Sequence, residues 1–321
     1  MVNIIMPAYN SHDTIRQAIG SVVMQDELEN ILLTIVDDCS ELGYEYLIKD
    51  FNYMKIEILR KNSNTGCGQS RQYGIDHCKC KYFMFLDTDD VLYSPDAVKK
   101  MHYYMEENEL DFLYTDFIEE KNDNEYIIHQ NDGVWMHGKM FRTEYIRNNG
   151  ITFSNTRLHE DHAFNIIASA LGGRNLYIDY TTYMWKKNLR SLTNSPSHTF
   201  INAMTNFLKN AEYTLNELSR RNIDKSFIVK VVKVYILSFY KHYNSALINN
   251  VPQSEISDFI GMIASFCRCI PKDMRNILNR ECFTNNFFDN IPIQSMYENN
   301  IAFLVGFNEY YELIKRAMVD N

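Results

Sequence analysis

Through residues 1–115 the sequence alternates short, mostly apolar runs with amphipathic stretches. Residues 2–6, 31–36, 55–60 and 82–86 read as strands, and the apolar ones have the composition of strands covered on both faces. Residues 11–24 place Ile15, Ala18, Ile19, Val22 and Val23 three and four apart, the spacing of a helix with one apolar face, with Ser11 or Asp13 as its expected cap. Residues 44–53, 70–78 and 95–108 read as further helices, and 111–115 as a fifth strand. This order predicts an α/β fold with a mostly parallel sheet flanked by helices. In such sheets ligands bind beyond the carboxyl ends of the strands. Beyond that, residues 199–221, 226–248 and 254–269 are helical by period and nearly free of Gly. We therefore expect an α/β domain over 1–195 and a helical C-terminal region over 196–321.

The polar residues cluster where such a sheet would place a site. Tyr9 and Asn10 follow the first strand, Asp37 and Asp38 the second, Asn64 the third, and Asp87, Asp89 and Asp90 the fourth. In Asp87-Thr88-Asp89-Asp90, three carboxylates within four residues repel one another unless a cation lies among them. Mg²⁺ and Mn²⁺ take oxygen ligands and are commonly shared with substrate phosphates. A metal bridging to a diphosphate suits this turn, although a solvated turn capping the next helix has the same composition. Asp37-Asp38 can accept from a nucleobase N–H or from ribose hydroxyls, or can serve as an ordinary loop or cap. Gly66 permits a tight turn, and Arg71 on the following helix can face a nucleotide or solvent. His159-Glu160-Asp161 precedes an amphipathic run, so its carboxylates read as a helix cap or as a base.

Taken in order, Pro7-Ala8-Tyr9-Asn10, Val36-Asp37-Asp38-Cys39-Ser40, Asn64-x-Gly66 with Arg71 and Gly74, Leu86-Asp87-Thr88-Asp89-Asp90 and Glu160-Asp161 resemble family 2 glycosyltransferases of the GT-A fold, over about residues 1–195. His137-Gly138-Lys139-Met140-Phe141-Arg142 resembles the stretch that precedes the Glu-Asp pair in that family. Cys39 and Gln72 depart from it, standing where Gly and Asn are common. The resemblance implies a metal-dependent, inverting hexosyltransferase that uses a nucleotide-sugar, with a UDP-sugar as the expected donor. Pro7 and Tyr9 would line the base pocket, Asp37 and Asp38 would meet the base or ribose, and Asn64 and Arg71 would lie near the nucleotide. Asp87 and Asp89 would hold Mn²⁺ or Mg²⁺, Asp89 the surer of the two. Lys139 or Arg190 would offset charge on the departing diphosphate, and Arg190-Ser191-Leu192-Thr193 resembles a flexible segment near that group. His198 is a candidate further ligand. Asp161 would be the catalytic base, with Glu160 pointing elsewhere.

Composition narrows the partners. Charged residues are 23% and the net charge is −9, with a pI near 5.5. A duplex-binding protein is usually basic, so a nucleic acid is not the favoured acceptor; a glycan, wall polymer or other hydroxyl-bearing acceptor in polysaccharide biosynthesis is. The seven cysteines are odd in number and form no CxxC pair, which reads as reduced thiols. No signal peptide or span of ~18 apolar residues is visible, so a cytoplasmic location is expected, with peripheral membrane contact left open. Two rival readings share parts of this pattern. A nucleotidyltransferase would need a Gly-rich phosphate loop, which the first strand's turn lacks. A degenerate nucleotide-sugar or glycan-binding module would bind without turnover.

Overall fold

The structure is a computed structural model that describes residues 1–122, 125–188 and 199–274, with Tyr310, Glu312 and Arg316. Arg190 and His198 lie outside the described residues. The chain divides into two compact units, Met1–Ser191 and Leu192–Asn321.

The first unit is built on one sheet. β1 (Val2–Ala8) is buried at every position and pairs in parallel with β2 (Ile31–Asp37) on one side and β4 (Tyr82–Phe85) on the other; β2 pairs in parallel with β3 (Lys55–Arg60). Pro7 lies past the last β1–β4 pair, Ile5 with Phe85, so its missing N–H costs that ladder nothing. β5 (Val91–Leu92), β6 (Phe112–Asn122), β7 (Glu125–His129), β8 (Lys139–Arg142) and β9 (Asn175–Trp185) complete a nine-stranded sheet in the order β3-β2-β1-β4-β8-β6-β9-β5, with β7 added beside β6. The sheet is mixed in this half. β8 runs antiparallel to β4 and β6, while β6 and β9 are parallel. Helices α1 (Ile15–Val23), α2 (Tyr46–Asp50), α3 (Cys67–His77), α4 (Ala97–Glu107), α5 (Thr143–Asn148) and α6 (Glu160–Ala170) flank it.

Two helix starts differ from expectation. α1 is capped by neither Ser11 nor Asp13: its N-cap residue is Thr14 without a side-chain cap bond, and the Ser11 carbonyl accepts from the Thr14 and Ile15 amides. α3 begins three residues early, because Gly66 takes φ +93° and ψ 169°, a conformation open essentially to Gly alone. Its buried residues are Gly68, Ser70, Arg71, Gly74 and Ile75, small or polar rather than apolar. Gly74 lets α3 lie close on the sheet: a Cβ there would meet Ile5 Cγ2 at 2.4 Å and Val36 Cγ2 at 3.2 Å.

The second unit contains α7 (Phe200–Arg220), α8 (Lys225–Ile248) and α9 (Gln253–Cys269). Thr199 caps α7 through the Asn202 amide, and Asp224 caps α8 through the Ser226 and Phe227 amides. Phe207, Tyr235, Phe239, Phe259 and Phe266 form its aromatic core. No helix among the described residues is long and apolar enough to cross a membrane.

Candidate active site

Four loops meet at the carboxyl ends of β1–β4, and one guanidinium ties three motifs together. Arg71, nearly inaccessible, donates from Nη2 to both oxygens of Asp87 at 2.8 and 3.0 Å, and from Nη1 to Asp161 at 2.7 Å and Glu160 at 3.2 Å. Its Nε is buried without a hydrogen-bond partner. Gly68 makes the approach of α6 possible, since a Cβ there would lie 2.7 Å from Glu160 Cγ. Arg71 thus faces carboxylates, and Glu160, expected to point elsewhere, shares the same cation. The helix-cap alternative for Asp161 also fails. The N-cap of α6 is His159 in a left-handed conformation with no side-chain cap bond, while the Asp161 carboxylate takes Arg71.

Three carboxylates on one buried cation leave negative charge to be neutralised. Burial, followed by repulsion from Asp161, pushes Glu160 up to about 7 against the pull of Arg71. Burial likewise raises Asp161, with Arg71 opposing and Asp87 adding to the rise.

Next to this hub, Asp87, Asp90 and His137 bring one ligand atom each to within 4.8 Å of one another, the group among the described residues whose donors suit a metal ion. Asp90 is buried, accepts from Tyr183 Oη at 2.6 Å and the Lys186 amide at 2.9 Å, and is driven well above the carboxylate range by burial and by Asp87 and Asp89. His137 stacks on Tyr183 with ring centroids 4.6 Å apart, and its Nδ1 is buried without a partner. Burial pushes this imidazole down to about 3, which keeps it neutral and able to ligate. Two carboxylates and a neutral imidazole with an unused ring nitrogen fit a divalent cation. Asp89, expected as the surer ligand, is not in this group; its carboxylate accepts from Asn188 at 2.8 Å. The sequence motifs give Asp90 and His137 no role, because spacing alone does not bring β8 beside β4.

The remaining expected residues are spread between exposed and structural positions. Tyr9 is 51% exposed at the end of β1, and Pro7 is buried within it. Asp37, expected to meet base or ribose, is fully buried and spends its carboxylate on the Ser40 amide at 2.8 Å and on Arg60 at 2.7 Å. Asp38 holds the Thr65 and Gly66 amides and pairs with Lys61 at 2.7 Å. Both therefore shape the strand-end loops. Asn64 Oδ1 accepts from Arg157 at 3.2 Å. Lys139, expected beside a diphosphate, is instead buried, with Nζ bound to the Asp132 carbonyl at 2.8 Å and to the Trp135 carbonyl; burial lowers it to about 8. Cys39, the departure from Gly, adopts φ +66°.

The sequence matches the profile described as "Glycosyl transferase family 2" over residues 3–166, just over half of the 321-residue chain. The chain belongs to glycosyl transferase family 2. Among similar family members, the putative teichuronic acid biosynthesis glycosyltransferase TuaG of Bacillus subtilis is 28% identical over 119 residues, 36% of this chain and 46% of that protein. The UDP-Glc:alpha-D-GlcNAc-diphosphoundecaprenol beta-1,3-glucosyltransferase WfgD of Escherichia coli is 28% identical over 117 residues, with the same two shares of 36% and 46%. The chain thus spans less than half the length of either relative. In fold it resembles S. aureus TarS, solved in complex with UDP-GlcNAc, with a TM-score of 0.71 at 16% identity, covering 85% of this chain and 82% of that one. The sheet and its helices are accordingly of the GT-A kind.

Proposed function

We propose that residues 1–195 form a catalytic domain that transfers a hexose from a UDP-sugar to a hydroxyl of a glycan or wall polymer, with inversion and with a divalent cation, and that residues 196–321 form a separate helical region. The observation that carries this reading is the Arg71 bridge, which joins the Asp87 turn to the Glu160-Asp161 pair. A leaving-group site and a proton acceptor then lie on either side of one guanidinium.

In this reading Asp161 accepts the proton of the acceptor hydroxyl as that oxygen attacks the anomeric carbon. Attack opposite the departing diphosphate inverts the configuration, and no covalent enzyme intermediate is needed. Arg71 keeps Asp161 ionised against the burial that would protonate it. Asp87, Asp90 and His137 would hold the cation, and the inclusion of an imidazole favours Mn²⁺ over Mg²⁺. When bound, such an ion offsets charge on the diphosphate. Asp37 and Asp38 act on the nucleotide through the loops they hold, and Tyr9 is the exposed ring available to a base. UDP is favoured because WfgD is named for UDP-Glc and TarS was solved with UDP-GlcNAc.

The test is a donor panel of UDP-glucose, UDP-N-acetylglucosamine, a GDP-sugar and a dTDP-sugar. Nucleoside diphosphate release is followed with Mn²⁺, with Mg²⁺ and with chelator, and the anomeric configuration of the product is read by NMR. Release from UDP-sugars that depends on the cation is expected. Tighter binding of GDP or dTDP than UDP overturns the donor assignment, and binding without turnover points to a binding module.

A further inference from the structure

Both tryptophans of the chain stand beside this site. Trp135 lies in the loop before β8 and Trp185 ends β9; each is half-buried, and their rings are 5.1 Å apart at 44°. Trp135 is packed edge-on to His162, the neighbour of Asp161, at 6.4 Å. Trp185 lies 5.3 Å from the His137 ring. The pair therefore spans from the Asp87-Asp90-His137 group to the proposed base.

The loop that presents Trp135 is fixed. Asp132 Oδ1 accepts the Val134 and Trp135 amides at 2.7 and 2.9 Å, and Asn165 Nδ2 donates to the Val134 and Trp135 carbonyls at 2.7 and 3.2 Å. Lys139 spends its buried ammonium on carbonyls of the same loop, which accounts for a cation otherwise without a task. Large, rigid aromatic rings with part of their surface in water are suited to a ligand that is apolar on one face and polar at its rim. A pyranose ring has that form. The carboxylates of Asp87 and Asp161 nearby oppose an anionic ring at the same place.

We infer that Trp135 and Trp185 form the acceptor subsite, a platform on which a neutral pyranose ring stacks with a hydroxyl turned toward Asp161. This rests on the transferase reading above, and the two are separable by experiment. Because the chain has no other tryptophan, its indole fluorescence reports on this pair alone. The full chain is titrated with cellotetraose, maltotetraose and chitotetraose, with and without saturating UDP and Mn²⁺, while UDP binding is measured separately by calorimetry. A saturable fluorescence change with at least one oligosaccharide is expected. Trp185→Ala and Trp135→Ala should each weaken that oligosaccharide by about tenfold, the scale for truncating an aromatic anchor, and Trp185→Phe should recover most of the loss. If UDP binds and no oligosaccharide gives a response, the platform is overturned while the donor reading stands. If an oligosaccharide responds and UDP does not bind, the platform stands and the donor reading falls. Equal oligosaccharide affinity in wild type, Trp185→Ala and Trp185→Phe also overturns it, and the Phe variant serves should either Ala variant fail to fold.

Discussion

Arg71 Nη1 lies 2.7 Å from Asp161 Oδ1, so the carboxylate proposed as the base is held by a cation it shares with Asp87 and Glu160. The strength of that hold depends on what the other two carboxylates are doing. Anything that draws Asp87 away from the guanidinium leaves Arg71 more fully to the Glu-Asp pair.

Asp161→Asn should lower kcat by about 10²–10⁴-fold, the usual share of a general base, with UDP affinity nearly unchanged. Asparagine caps helices well, but Asp161 caps nothing, so the stability change that accompanies the loss comes from the buried ion pair with Arg71 and not from the helix end. Steady-state kinetics beside UDP calorimetry decide the matter; wild-type kcat would remove Asp161 from this role.

The acid limb of the rate profile should lie above the ordinary aspartate value near ~4. The ionised carboxylate is the active form, and burial raises its pKa, so activity falls as pH drops through that raised value. Arg71 opposes the rise; its replacement by Gln should move the limb to still higher pH. Log kcat against pH for both proteins provides the comparison, and a limb at or below ~4 in wild type contradicts the assignment.

Arg71→Gln should also cost roughly 3–5 kcal/mol of stability, the scale for leaving buried charges without their partner. Urea denaturation measures it. Adding Asp161→Asn to Arg71→Gln should restore part of the loss, because the two side chains are in contact and their effects do not add.

Metal response separates the spatial cluster from the sequence motif. His137→Gln and Asp90→Asn should each raise the Mn²⁺ needed for half-maximal activity by about tenfold or more, whereas Asp89→Asn should raise it less. Chelator should abolish activity in wild type, and re-added Mn²⁺ should restore it. A larger effect from Asp89→Asn than from His137→Gln would return the ligand role to the Asp-x-Asp pair.

Cys39→Gly should stabilise the chain by up to about 1 kcal/mol. The left-handed conformation at φ +66° costs an L-residue about 1–2 kcal/mol, partly offset by the greater freedom of Gly in the unfolded chain. Thermal unfolding of the two proteins tests it.

The parallel half of the sheet was legible because β1, β2 and β4 are short apolar runs whose pairing follows from alternation with helices. The antiparallel insertion of β8 was not legible, since one short strand carries no signal of its neighbours. The same gap hid His137, which meets Asp87 and Asp90 only because β8 pairs with β4. Arg71 could have been read as buried. Gly68, Ser70 and Gly74 share the inner side of α3 with it, and a helix that buries small residues around an arginine is making room for that arginine's partners. Asp37 and Asp38 looked like ligand contacts by type, but their loops consume them. Strand-end carboxylates serve turn amides and substrates with the same oxygens, and sequence does not distinguish the two uses.

β4 is apolar and buried along its length, with β1 on one side and β8 on the other. On the ribosome those neighbours arrive at different times. β1 precedes β4, but β8 begins at Lys139, whereas β4 ends at Phe85. At about 5–20 residues per second, that gap keeps one side of β4 unpaired for roughly 3–10 s. For that interval the nascent chain displays a bare hydrophobic strand edge, the kind of template on which neighbouring chains aggregate. Yield of the chain should therefore respond to conditions during synthesis, to temperature and to chaperones that cover such edges.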